Sequence, residues 1–129
     1  MLGFLRGLIC LIGIFNILIG VGFLFLPSKL AEAFFLTPVG TEGLATLRAD
    51  FPGFFIGAAL FALAGAIRNQ AAPLLVPLVM LTIALVGRCV SALTDGFVTG
   101  SAAPMIVELV MITILFIGYR TFGQANSAR

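Results

Sequence analysis

Four long apolar stretches, each closed by polar or helix-breaking residues, set the pattern of the chain. The first runs from Gly7 to Leu26; twenty residues rise about 30 Å as a helix, which matches the hydrocarbon thickness of a bilayer. Arg6 before it and Ala31-Glu32-Ala33 after it resemble a signal peptide, but the apolar run is too long for one, so an uncleaved anchor is expected. Pro27-Ser28 ends it. Ser28 is then expected to cap a short interfacial helix over Lys29 to Leu36, with Phe34 and Phe35 on one side and Lys29 and Glu32 on the other. The second span covers about residues 47–67. It carries Ala49, Gly53 and Gly57 at one four-residue spacing and Ala58, Ala62 and Ala66 at another, two small faces that allow close helix packing. Pro52 leaves its start open: a helix beginning upstream at Thr41 loses a hydrogen bond to the Arg48 carbonyl, whereas one beginning at Asp50 has Pro52 in the tolerated first turn. The third span is placed at about 73–93 and is closed by Asp95-Gly96; the fourth, at about 104–119, is opened by Pro104 and followed by a polar tail from Thr121 expected to fray. The connections are short, so successive helices should be antiparallel neighbours. The fold class that follows is all-α, an integral membrane four-helix bundle in a single domain with a short interfacial helix after the first span.

Composition agrees with this reading and removes several functions. The 129 residues are 61% hydrophobic and 9% charged, against about 25% charged in soluble domains, and the mean hydropathy is +1.24. Net charge is only +2 and the basic residues are scattered, so nucleic acid is not expected as a partner. There is no His, which removes the commonest general base and transition-metal ligand. No metal or cofactor is expected. Cys10 and Cys89 lie toward opposite membrane faces, too far apart for a disulfide.

Charges on the connections set the orientation. Arg6, Arg68, Arg120 and Arg129 collect on one side without an acidic residue, and Lys29, Glu32, Glu42 and Asp95 fall on the other. Because Lys and Arg in short loops favour the cytoplasm, both termini are expected there.

Ionisable groups within spans cost about 2.5 to 3.5 kcal/mol each and are usually paired. Arg88 lies seven residues before the Asp95-Gly96 break and Glu108 four residues after Pro104. In antiparallel helices the two reach a similar depth, so an Arg88 to Glu108 pair is expected with Asp50 nearby. Arg48 and Asp50 are turned about 200° from one another and need separate partners. Asp50 shares a face with Gly53 and Gly57, which aims it into the bundle; Arg88 shares one with Ala84, Ser91 and Asp95. Two roles for the cluster Arg48, Asp50, Arg88, Asp95 and Glu108 stay open: a latch between helices, or a polar pocket binding a head group, a small polar ligand or a partner helix. Asn16, on the face of Cys10, Gly13 and Gly20, is expected inside the bundle as interhelical glue.

Arg48-Ala49-Asp50 leading into Pro52-Gly53, Gly87-Arg88 with Asp95-Gly96 downstream, and Glu108 early in the last span resemble the bacterial four-span family catalogued as domain of unknown function 4345, DoxX-like in layout. The resemblance covers most of the chain. It implies a four-helix bundle of the bacterial inner membrane and, by analogy with DoxX-like subunits of quinone-linked enzymes and assembly factors, an accessory role. A non-catalytic accessory, assembly or lipophile-binding subunit, with a lipid, a quinone-like molecule, a membrane protein or a second copy as partner, is therefore the leading reading. A proton-coupled transporter of the small multidrug-resistance type is the alternative, although the glutamate of those proteins lies in the first helix, where this chain has Asn16. A lipid-modifying enzyme using Asp50 and Glu108 comes third, because no nucleophile or cofactor motif accompanies them.

Overall fold

The computed structural model describes residues 2–127, and among these the only regular elements are helices, joined by short connections, with no strand. The elements are α1 (Leu2–Phe25), α2 (Pro27–Ala33), α3 (Gly40–Arg68), α4 (Ala71–Thr94) and α5 (Thr99–Ser127). All but α2 are long and apolar enough to cross a membrane. Large apolar side chains such as Leu11, Leu18, Ile83 and Phe116 stand exposed along their outer faces. Water does not tolerate such a surface over the length of a small protein, whereas lipid does. This is a multi-pass membrane bundle.

The second, third and fourth spans extend beyond their sequence-based bounds at both ends, α1 starts earlier and ends one residue sooner, and α2 is shifted toward the N-terminus. The short helix α2 starts at Pro27, its fixed φ suiting the first helical position, and Ser28 makes no capping hydrogen bond. It ends at Ala33 in a turn where Leu36 N–H donates to the Ala31 carbonyl and Phe35 N–H to that of Glu32, with Phe35 at φ 58°. This αL turn separates the two phenylalanines expected on one side: Phe34 turns inward onto Phe23, while Phe35 is 83% exposed. In α3 the upstream start prevails. Pro52 therefore lies inside the helix and is buried, leaving the Arg48 carbonyl without its helical donor. Helix α5 begins five residues before Pro104, and the tail expected to fray stays helical to Ser127 because Phe122 is fully buried in the core. Arg129, counted in the charge pattern, lies outside the described residues.

Successive spans are antiparallel neighbours, α1 lying along α3 and α4 along α5, with α3 and α4 meeting beside their Asn69-Gln70 connection. At the end holding both termini, one core joins all four long helices, through Leu5 and Ile9 of α1, Ala62 and Ala66 of α3, Leu74 of α4, and Leu115 and Phe122 of α5. Arg6 fastens this end, its Nε donating to the Ala66 carbonyl at 3.0 Å. That carbonyl is one of the last in α3 and has no helical partner. At the far end the core contains Phe23, Ala31 and Leu47 with Phe34, Phe51 and Phe55 around them, all from α1, α2, α3 and the turn after α2.

The close approaches differ in part from those expected. The Ala58, Ala62 and Ala66 face is buried. Gly53 and Gly57 are not packing positions: a Cβ on either would meet nothing within 4 Å. The intimate contacts belong instead to Gly13 and Gly20 of α1, where an added Cβ would lie 2.7 Å from Leu63 and 2.5 Å from Ile56.

Candidate functional site

Because α4 and α5 contribute nothing to the far-end core, a cavity of about 520 Å³ opens between the two helix pairs. Its volume falls in the range of small-molecule sites. Phe15 and Ile19 of α1, with Phe51, Phe54 and Phe55 of α3, form one wall. Positions 51, 54 and 55 recur at helical spacing and so present one aromatic face. Leu81 and Ala84 of α4 and Val107 and Met111 of α5 form the other wall. Phe34, after α2, joins the aromatic wall, its ring centre 5.9 Å from that of Phe55. The aromatic wall was the part that the residue pattern did not disclose; its only sequence signal is that 51, 54, 55 spacing beside an internal proline.

Four polar side chains line this cavity: Asn16, Asp50, Arg88 and Glu108. Arg88 and Glu108 pair as expected. Arg88 Nε donates to Glu108 Oε1 at 2.9 Å and to Oε2 at 3.0 Å. Both carboxylate oxygens therefore share a single N–H, and neither Nη of the guanidinium has a hydrogen-bond partner among the described residues. The exposures are unequal, 34% for the Arg88 side chain and 11% for that of Glu108, so the carboxylate is the partner that depends on the pair for its solvation. Asn16 is buried and donates through Nδ2 to the Ile12 carbonyl at 2.9 Å and to Met111 Sδ at 3.7 Å. It ties α1 to α5, and it also faces the cavity.

The rest of the expected cluster disperses. Asp50 lines the cavity but is exposed, and no cation lies within salt-bridge distance of it among the described residues. Arg48 is exposed and does not line the cavity, since two residues along α3 carry it away from Asp50. Asp95 also lies outside it, accepting a hydrogen bond from Ser91 Oγ at 2.9 Å near the end of α4. Asp50, Asp95 and Glu108 do not gather, and no group of three possible metal ligands occurs among the described residues. The cavity thus holds one positive and two negative formal charges, set in a predominantly aromatic and aliphatic wall. Cys10 and Cys89 are both free.

The chain matches no protein-family model, no curated protein sequence and no solved structure. The geometry of the cavity is therefore the basis for a functional reading.

Proposed function

We propose that the protein is a non-catalytic lipophile-binding subunit of the bacterial inner membrane, with both termini cytoplasmic. The apolar body of a lipid or quinone-like molecule enters between the helix pairs, against Phe15, Phe51, Phe54 and Phe55. The observation carrying this reading is the coincidence in one 520 Å³ cavity of an aromatic wall and a charge pair whose guanidinium keeps both Nη groups unused. A pure latch needs no adjoining volume, and a lipid-filled groove needs no charged pair at a cost of several kcal/mol. Most binding free energy would come from shape and aromatic contact, and the polar end would set orientation. The resemblance to the four-span DoxX-like family supports an accessory role beside a larger membrane enzyme or a second copy.

The test is extraction of the protein in native lipid discs followed by mass spectrometry of the bound small molecules. One amphiphilic species enriched over bulk lipid is expected with the natural chain. It should disappear in Ala84→Trp, where the new ring fills the cavity. Equal lipid composition in both samples would reject the reading.

The position of Glu108, 8% exposed on the cavity wall, favours one second reading, a proton-coupled transporter. Glu108→Gln should then abolish substrate efflux, and efflux that is absent, or unchanged by the substitution, removes this reading.

A further inference from the structure

Arg88 stands between two cavities. A second one, of about 260 Å³, is lined by Gly87, Ser91, Ala92, Gly96 and Ser101, and shares only Ala84 and Arg88 with the aromatic cavity. Positions 84, 87, 88 and 91 recur at helical spacing and place these residues on one face of α4. The Asp95-Gly96 break, with Gly96 at φ 93°, turns the chain so that Ser101 in the first turn of α5 closes the same space. The first cavity is aromatic and the second is built of serine, glycine and alanine. The Arg88 side chain is the partition.

Ser91 Oγ donates to Asp95, and both oxygens of Glu108 accept from the single Arg88 Nε–H. The two Nη groups of Arg88 make no hydrogen bond among the described residues, nor does the Ser101 hydroxyl. A guanidinium has no acceptor capacity, so the ligand atom that completes it is an acceptor oxygen. The charges narrow the class further. Glu108 already neutralises Arg88, while Asp50 at the first cavity and Asp95 beside the second have no cationic partner within salt-bridge distance among the described residues. An anionic head would face two uncompensated carboxylates, and an alkylammonium head carries no acceptor for the Arg88 Nη groups.

We infer that the two cavities form one site for an uncharged amphiphile, its hydrocarbon against the phenylalanines and a compact head of hydroxyl and carbonyl oxygens in the second cavity, accepting from the Arg88 Nη groups. This rests on the reading of the aromatic cavity as the seat of a lipophilic body.

Gly87 supplies the test, because a side chain there would enter the second cavity while its Cβ would meet nothing within 4 Å. Full-length protein in detergent would be titrated by native mass spectrometry with four probes of one chain length: a monoacylglycerol, the fatty acid anion, the alkyltrimethylammonium ion and the plain alkane. The monoacylglycerol should bind about tenfold or more tightly than either charged probe, the equivalent of one or two lost hydrogen bonds. Gly87→Leu and, independently, Ser101→Leu should each weaken the monoacylglycerol by about tenfold and leave the alkane unchanged. A charged probe that binds more tightly, or monoacylglycerol binding indifferent to both variants, overturns the inference while alkane binding keeps the aromatic cavity as a lipophile site. Failure of the alkane and the monoacylglycerol alike with the natural chain overturns both.

Discussion

The two ends of the bundle are built on opposite principles. Where the termini lie, small residues let the helices touch: a Cβ on Gly118 would stand 2.5 Å from Ile9 Cδ1, and one on Gly65 would meet the Leu74 side chain. All four long helices share that core. At the far end α3 instead presents Phe51, Phe54 and Phe55, and α4 and α5 stand off around a cavity. In a bilayer, lipid tails are as apolar as leucine, so helices associate through close packing and polar contacts rather than by escaping water. Glycine and alanine therefore make the closed end, and bulky rings with one charge pair keep the other end parted. The first end is closed by a shared core; the second encloses the cavity.

The largest effects are expected at the charge pair of the open end. Arg88→Leu strands Glu108 in the bundle and should cost about 3 to 5 kcal/mol or prevent accumulation of the protein. Glu108→Leu should cost less, about 1 to 2 kcal/mol, because Arg88 is already a third exposed and can extend toward a head group or water. Equal losses in an SDS unfolding titration would show the pair to be symmetrically buried.

At the closed end, Phe122→Ala should lower stability by about 3 kcal/mol through the cavity it leaves. Phe54→Ala, which only enlarges a space already present, should cost about 1 kcal/mol in the same titration. A reversed order would mean that the far end carries the fold.

The smallest effects distinguish two sets of glycines. Gly20→Ala forces the new methyl against Ile56 and should cost about 1 to 2 kcal/mol. Gly53→Ala meets open space and should be neutral or stabilising by up to about 1 kcal/mol, since alanine loses less backbone entropy in a helix. Thermal midpoints of the two purified variants decide this, and a larger loss at Gly53 would restore that face as a packing surface.

Much of this architecture is legible in the sequence because hydropathy counts residues against bilayer thickness. The four spans and their order follow from run length, and the Arg88 to Glu108 pair follows from equal depth below one break. Less legible were features that depend on which way a face turns. Gly53 and Gly13 are equally small, and only the partner helix decides which of them is crossed. Asp50 lines the cavity while exposed, and depth below the surface does not bring Arg48 and Asp95 to the same cavity, because azimuth separates them. The end of α5 lies beyond its apolar stretch because packing, through Phe122, extends it. The phenylalanine wall was hidden because thirteen phenylalanines in an apolar chain give no contrast until the helices are assembled.

The proposed role of the charge pair is to complete a binding site as well as to join α4 to α5. The most direct measurement takes Arg88→Leu with Glu108→Leu in one chain and reads both its unfolding midpoint and the amphiphile retained on native extraction. With both partners replaced, no charge is stranded and stability should return to within about 1 kcal/mol of the natural chain. The double variant should be folded and should no longer retain the amphiphile. A double variant that folds and retains it unchanged would reduce the pair to a latch between α4 and α5.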